Sequence, residues 1–460
     1  MITHHSIANQ DYEIINSNYL TNKVRLALIF SLFLTISYTI ILPSGEKGIY
    51  LTLASLFVGC LAFNGATLAT YLLLFGPSVF GVIAVVLNLS GYGGKISILA
   101  SLLLIIILYP RFLFQIIEQL RYTLIWLAWC AFILLVWYYQ GPQTDYSKEL
   151  LLGFLLNTPV LILGFSFLFW NRDINWLALG TIVVVSAYSI IAFGSSIDPR
   201  ILPNGLFDVS AIRNPLNQPY FSLSVHDLSY IAGMGAIISL SSWPIHLNDK
   251  SAKLILLLSI ILAVVVLGWA FNRAVLLAFT LTILVSIIII KLKKSQYMTL
   301  AFIVIALILY AFYTAYQLHN PFVEQMLDHN KSFSARINRS TNWDAALYSI
   351  KENPLLGKGL GGYSIPGHAL SGEKIYAHNF VLGMLTDLGA GGTLLLFFPL
   401  MIRGLKRIRE NISLMLDSLN YSLILLVVIF TCVSQFATGD LTKHAVYFSL
   451  LAIFFGTWKK

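Results

Sequence analysis

Charge is scarce in this 460-residue chain: 11% of its residues are Asp, Glu, Lys or Arg, against 58% hydrophobic. A water-soluble protein of this size could not hide that much apolar surface, which excludes an ordinary soluble fold. Cysteine is rarer still, and Cys60, Cys130 and Cys432 all lie inside apolar runs. That placement suits packing and gives no disulfide framework. Short segments of alternating hydrophobicity are missing, which excludes a membrane β-barrel. There is no HExxH, no cysteine cluster, no P-loop and no dinucleotide-binding glycine motif. Neither a metal centre nor a nucleotide or other cofactor is therefore expected. Residues 1–22 are largely polar, so no cleavable signal peptide is expected, and the first apolar run should remain as a signal anchor.

What is present is a succession of long uncharged runs, among them Leu26–Leu42, Leu254–Ala270 and Thr299–Tyr316. Each approaches the roughly 20 residues that carry a helix across a bilayer core. In lipid every backbone polar group must be satisfied within the protein, which a helix does by itself. The pattern predicts an all-α polytopic membrane protein. Helices are expected at roughly 24–42, 49–65, 67–90, 96–115, 121–139, 151–170, 174–193, 228–247, 253–270, 274–291, 297–316, 378–402, 418–437 and 444–458. Because the split between 49 and 90 is ambiguous, the expectation is twelve to fourteen transmembrane helices. The chain divides into a cytoplasmic segment 1–23 and a helical bundle 24–316 that includes a periplasmic loop at about 194–227. A periplasmic loop 317–377 and C-terminal transmembrane helices 378–460 complete it.

With the N-terminus inside, sixteen of the twenty-nine Lys and Arg residues fall on one side with seven acids. The other side has thirteen basic and twelve acidic residues, and Asp387 lies within a helix. The excess positive charge marks the cytoplasmic side. The net charge of +9 is thus an orientation signal, and no nucleic-acid partner is expected. Both long loops are then external, and long loops within compact membrane proteins are usually either functional or disordered. The second contains SARINRSTNWDAALYSIKENPLLGKGLGG. Trp343, Ala346, Leu347 and Ile350 fall on one face of a helix there. Asn353-Pro354 ends it, and a glycine-rich turn leads back toward His378.

Four features gather at this outer face: Arg273 at a helix start, Arg336 and Arg339 in the loop, and His378-Asn379 at the mouth of the next helix. A charge beside a membrane span is costly and tends to face a cavity or a partner. Arginine suits bidentate recognition of phosphate. Each residue also has a plain reading: interfacial snorkelling for Arg273, solvated loop charge for Arg336 and Arg339, and helix capping for His378. His226-Asp227, at the end of the first outer loop, is a further pair of interest. Asp387 suits pairing with a cation in the bundle, which the sequence does not name.

The stretch RINRSTNWDAALYSIKENPLLGKGLGGY followed by HNFVLGMLTDLGAGG resembles the C-terminal module of the O-antigen ligase and polymerase superfamily. The pattern H-[NSQ]-x9-G-xx-[GTY] is matched in full by His378, Asn379, Gly389 and Gly392. Arg273, in FNRA, stands where the family has a helix-start arginine, with Asn272 in place of the usual hydroxyl residue. Arg336 fits the loop arginine, and Arg339 competes for that assignment. The resemblance spans roughly residues 225–455.

That resemblance implies a bacterial inner-membrane glycosyltransferase with its site facing the periplasm. An undecaprenyl-diphosphate-linked glycan would be the donor, and a lipid-linked or lipid A-core sugar the acceptor. His378, Arg273 and Arg336 are the catalytic candidates, and Arg339, Asn379 and Trp343 the substrate-binding ones. The arginines would stabilise the diphosphate leaving group. A neutral imidazole, of ordinary pKa ~6.5, would take the acceptor proton, and the nearby arginines disfavour its charged form. Gly389 and Gly392 suit close helix packing. Other partners expected are membrane lipids and a chain-length regulator protein. The near-balanced outer charge points to a polymerase, since a ligase must bind a phosphate-rich core. An O-antigen ligase is the alternative. A flippase, which would want charges along the bundle centre, is the least supported.

Overall fold

The computed structural model describes residues 64–76, 93–111, 120–141, 174–197, 225–242, 250–270, 273–289, 342–362, 379–395 and 419–436, with isolated residues between them. Among these residues the structure is all helical, without a strand. In chain order the helices are α1 (Gly65–Leu74), α2 (Gly93–Leu108), α3 (Leu120–Gln140), α4 (Trp176–Ile197), α5 (Val225–Ser241), α6 (Lys250–Ala270) and α7 (Arg273–Ile289). They are followed by α8 (342–352), α9 (Phe380–Leu395) and α10 (Leu419–Phe436). Expected helices at 24–42 and 444–458, and most of those at 49–65, 151–170 and 297–316, lie outside the described residues, as does most of the loop at 194–227.

The chain forms two compact units. In the first, α4 and α5 are central: every residue from Trp176 to Tyr188, and from Ile231 to Ser242, is buried. A helix apolar on all sides can be this deep. Two glycines set how closely the helices cross. A Cβ on Gly235 would lie 2.9 Å from the Gly180 carbonyl, and one on Gly180 would lie 2.5 Å from the Gly235 carbonyl. Small residues at such a crossing let backbones approach, the usual device where lipid supplies no hydrophobic drive between helices.

Hydroxyls tie the other helices to this pair. Tyr71 of α1 meets Ser186 of α4 at 2.6 Å, and Thr181 of α4 meets Ser259 of α6 at 2.9 Å. Ser97 and Ser101 of α2 donate to the Leu72 and Ala69 carbonyls of α1, each at 2.6 Å. Asn64 caps α1 by accepting from the Thr67 amide. The Thr67 hydroxyl in turn accepts from the amide of Asn175, which caps α4 through Ala178. The expected boundary near residues 65–67 therefore has a physical cause, a shared pair of N-caps.

Helix α7 buries Phe279 and Ile283 together with small and hydroxyl residues, and leaves a leucine stripe uncovered. On α7, Val275, Ala278, Thr282 and Ser286 are buried, while Leu277, Leu281 and Leu284 form a stripe 57%, 38% and 45% exposed. Thr282 and Ser286 satisfy their hydroxyls on the Ala278 and Ile283 carbonyls of their own helix. Ile96, Leu99, Leu103, Ile106 and Ile107 are similarly exposed on α2. Among the described residues one helix is long and apolar enough to cross a membrane, at Lys250–Leu267; the other apolar helices are shorter.

The second unit contains α3, α7, α8, α9 and α10. Trp129 of α3 stacks edge-on against Phe154 with ring centroids 4.6 Å apart. The Trp137 indole N–H donates to Ser147 at 2.6 Å. Helices α7 and α10 pack along one another.

Candidate functional site

Local sequence explains how the helices near the expected site begin and end. Asn379 is the N-cap of α9: its side-chain oxygen accepts from the Val381 amide at 3.0 Å and the Leu382 amide at 3.2 Å. Its carbonyl accepts from Gly383 at 2.8 Å. The capping role that the sequence reading offered for His378 is thus filled by Asn379. Arg273 is the first residue of α7, as the sequence predicts, and its side chain lies outside the described set. His378, Arg336 and Arg339 also lie outside it, as do the side chains of His226 and Asp227 at the start of α5.

Helix α8 is present where the Trp343 periodicity predicts one. Ala346 and Ser349 are buried, while Trp343 is 43% exposed, Leu347 and Tyr348 are exposed, and Ile350 is half-buried. The small pair allows close approach, and the large apolar side chains are left uncovered. Beyond α8, Lys358 pairs with Glu352 at 2.5 Å. Hydrogen bonds from Lys358 and then Tyr348 hold the Glu352 carboxyl below its ordinary value. A depressed carboxylate stabilises above its unfolded-state value and loses that contribution as pH falls. Its solvent exposure keeps the effect small.

The larger departure is in α9, expected as one helix within 378–402. It is broken by an inserted turn. In an unbroken helix the Thr386 and Asp387 carbonyls would accept from the Ala390 and Gly391 amides. Here Ala390 N–H donates to the Pro354 carbonyl and Gly391 N–H to the Leu355 carbonyl, both at 2.8 Å. Thr386 and Asp387 accept instead from Lys358 N–H at 2.8 Å and Gly359 N–H at 2.9 Å. Gly389, at φ 65°, forms the corner, and Gly357, at φ 68°, faces it. A Cβ on Gly389 would lie 2.5 Å from the Gly357 nitrogen, and one on Gly357 would lie 2.6 Å from the Gly389 nitrogen. Only glycine combines this left-handed backbone with that approach.

The turn has a second wall. A Cβ on Gly359 would lie 2.6 Å from the Gly141 nitrogen at the end of α3, and one on Gly392 would lie 2.5 Å from the Phe132 ring of α3. Gly392 therefore does pack against a helix, while Gly389 accommodates a turn. The sequence reading missed the part played by Pro354 to Gly359. The available signal was the spacing of glycines in NPLLGKGLGG and in LGAGG, two segments rich enough in glycine to meet backbone to backbone. Asp387 is buried at this junction.

Residues 258–397 match a family model described as O-antigen ligase. No curated protein matches the chain significantly. The matched segment contains Arg273, Arg336, Arg339, Trp343, His378 and Asn379, and both halves of the broken-helix junction.

Proposed function

We propose, from the place of residues 258–397 in the O-antigen ligase/polymerase superfamily, that the chain transfers a lipid-linked glycan to a sugar hydroxyl at the outer face of a bacterial inner membrane. The superfamily is bacterial and membrane-integral, and its substrates are lipid-linked glycans and lipid A-core. The observation that carries the reading is the complete His378-Asn379-x9-Gly389-xx-Gly392 pattern inside the matched segment. Asn379 there caps a helix that directly follows the histidine in the chain.

In this reading the donor is an undecaprenyl-diphosphate-linked glycan. His378 accepts the proton of the acceptor hydroxyl as that oxygen attacks the anomeric carbon. The bond from that carbon to the diphosphate breaks, and the diphosphate leaves with its charge held by Arg273 and Arg336, or by Arg339 in place of the latter. Trp343, Arg339 and the Asn379 amide line the path of the sugar. The bundle 24–316, with its loop at 194–227, and the helices within 378–460 supply twelve to fourteen spans. Segment 1–23 lies inside. Segment 317–377 folds over the periplasmic face as a lid, with the uncovered Trp343 and Leu347 side of α8 in the membrane interface. The exposed leucine stripe of α7 supports lipid contact.

The acceptor is a second lipid-linked unit, which makes the protein a polymerase working with a chain-length regulator. The near-even outer charge supports this choice. The description of the matching family model favours the other reading, a ligase acting on lipid A-core. Lipopolysaccharide from a deletion strain decides between them. A core capped with a single repeat unit is the expected outcome; a bare core would make the protein a ligase, and unchanged long chains would remove both. The transfer is metal-independent in this scheme, since arginines hold the leaving group. Purified enzyme should keep full activity in excess EDTA, and a loss reversed by magnesium would overturn that point.

A further inference from the structure

We infer that the inserted turn 354–359 and the Gly389 corner form a lock that positions the amino-terminal arm of α9, residues 380–388, for the transfer reaction. Gly357 and Gly389 are positioning residues in this sense, and the catalytic half of the inference rests on the function proposed above. Four backbone hydrogen bonds cross the junction, from Ala390, Gly391, Lys358 and Gly359. If the turn withdrew and α9 closed, only the two bonds at Thr386 and Asp387 would be regained within the helix. The freed turn groups would then be buried without partners or have to reach water, which is costly. The lock is also wedged from a third side, by Gly141 and Phe132 of α3.

Lever length makes this matter. From Gly389 to the Asn379 cap is ten residues, about 15 Å at ~1.5 Å per residue. A tilt of about 4° at the corner then moves the tip by about 1 Å, and a displacement of that size can cost a rate of ~100-fold. Asn379 sits at the tip, and His378 is the next residue in the chain. The glycine spacing of the pattern thereby acquires a physical meaning, because it sets where the arm bends and how far the bend lies from the histidine.

The test joins variants to a measurement on the native protein. Gly389→Ala and Gly357→Ala are assayed with the purified enzyme, undecaprenyl-diphosphate-linked repeat units and acceptor, with rates referred to the folded, monodisperse fraction. Both should lower kcat about 100-fold while donor KM changes little. A lower melting temperature with unchanged kcat per folded molecule would mean the glycines are merely structural, and the positioning claim fails. Hydrogen–deuterium exchange on the full-length wild-type protein needs no variant to fold. Segments 354–362 and 386–392 should be protected together. Free exchange in 354–362 beside a protected 386–392 would overturn the lock itself. If the wild-type protein shows no glycan transfer, the proposed function falls and takes the catalytic half with it, whereas co-protection would still report the lock.

Discussion

The His378→Ala protein should insert and fold normally and transfer no measurable glycan. A sugar hydroxyl is a weak nucleophile, and a positioned base contributes ~100- to 10,000-fold by removing its proton as the new bond forms. No second histidine lies in the segment from Lys374 to Gly392, so a substitute from the same stretch is not at hand. The fold should be indifferent, because the observed start of α9 is secured by Asn379, whose side chain and carbonyl satisfy the first turn. Membrane fractionation and detergent melting establish folding, and appearance of long-chain glycan in a complemented deletion strain reads activity. Near-normal chain length in the alanine variant would remove the general-base assignment.

Arg273→Lys should also lose most of the activity, and so should Arg336→Lys. Lysine keeps the charge but gives up the planar fork that binds two phosphate oxygens at once. Removing one preorganised donor to a developing charge costs ~100- to 1,000-fold in kcat where it has been measured. The two replacements therefore separate a fork from a general electrostatic effect. Arg273 opens α7, a helix whose buried face anchors it among small and apolar residues, so the substitution leaves the packing alone. If Arg336→Lys is silent and Arg339→Lys is not, the loop arginine belongs at 339. If both positions tolerate lysine, the diphosphate is held elsewhere.

Much of the fold was legible because composition and periodicity act over whole segments. The helices expected at 121–139, 253–270, 274–291 and 418–437 appear at Leu120–Gln140, Lys250–Ala270, Arg273–Ile289 and Leu419–Phe436. Long apolar runs with charged or polar ends leave little choice of boundary. On α8 the apolar periodicity marked the helix itself, while which side packs inside the protein, Ala346 and Ser349, depends on close packing that hydropathy does not record. The break in α9 was hidden for a deeper reason. It is made of backbone bonds between segments about thirty residues apart, and side-chain patterns carry no record of which carbonyl serves which amide. Candidate residues such as Arg273 and Asn379 could be named from spacing and resemblance. The scaffold that would aim them could not.

The Gly359 to Asp387 hydrogen bond also closes the intervening chain into a ring. Once its two ends are pinned, the length of the ring is only weakly constrained: doubling it costs ~0.6 kcal/mol of closure entropy. A change in the number of residues between Gly362 and His378 is therefore expected to cost little stability. In the proposed function, a surface that meets a different sugar can change there while the geometry at the base of α9 is left alone. A single backbone contact thereby divides the loop into a part whose length costs little and a part whose geometry is fixed by hydrogen bonds.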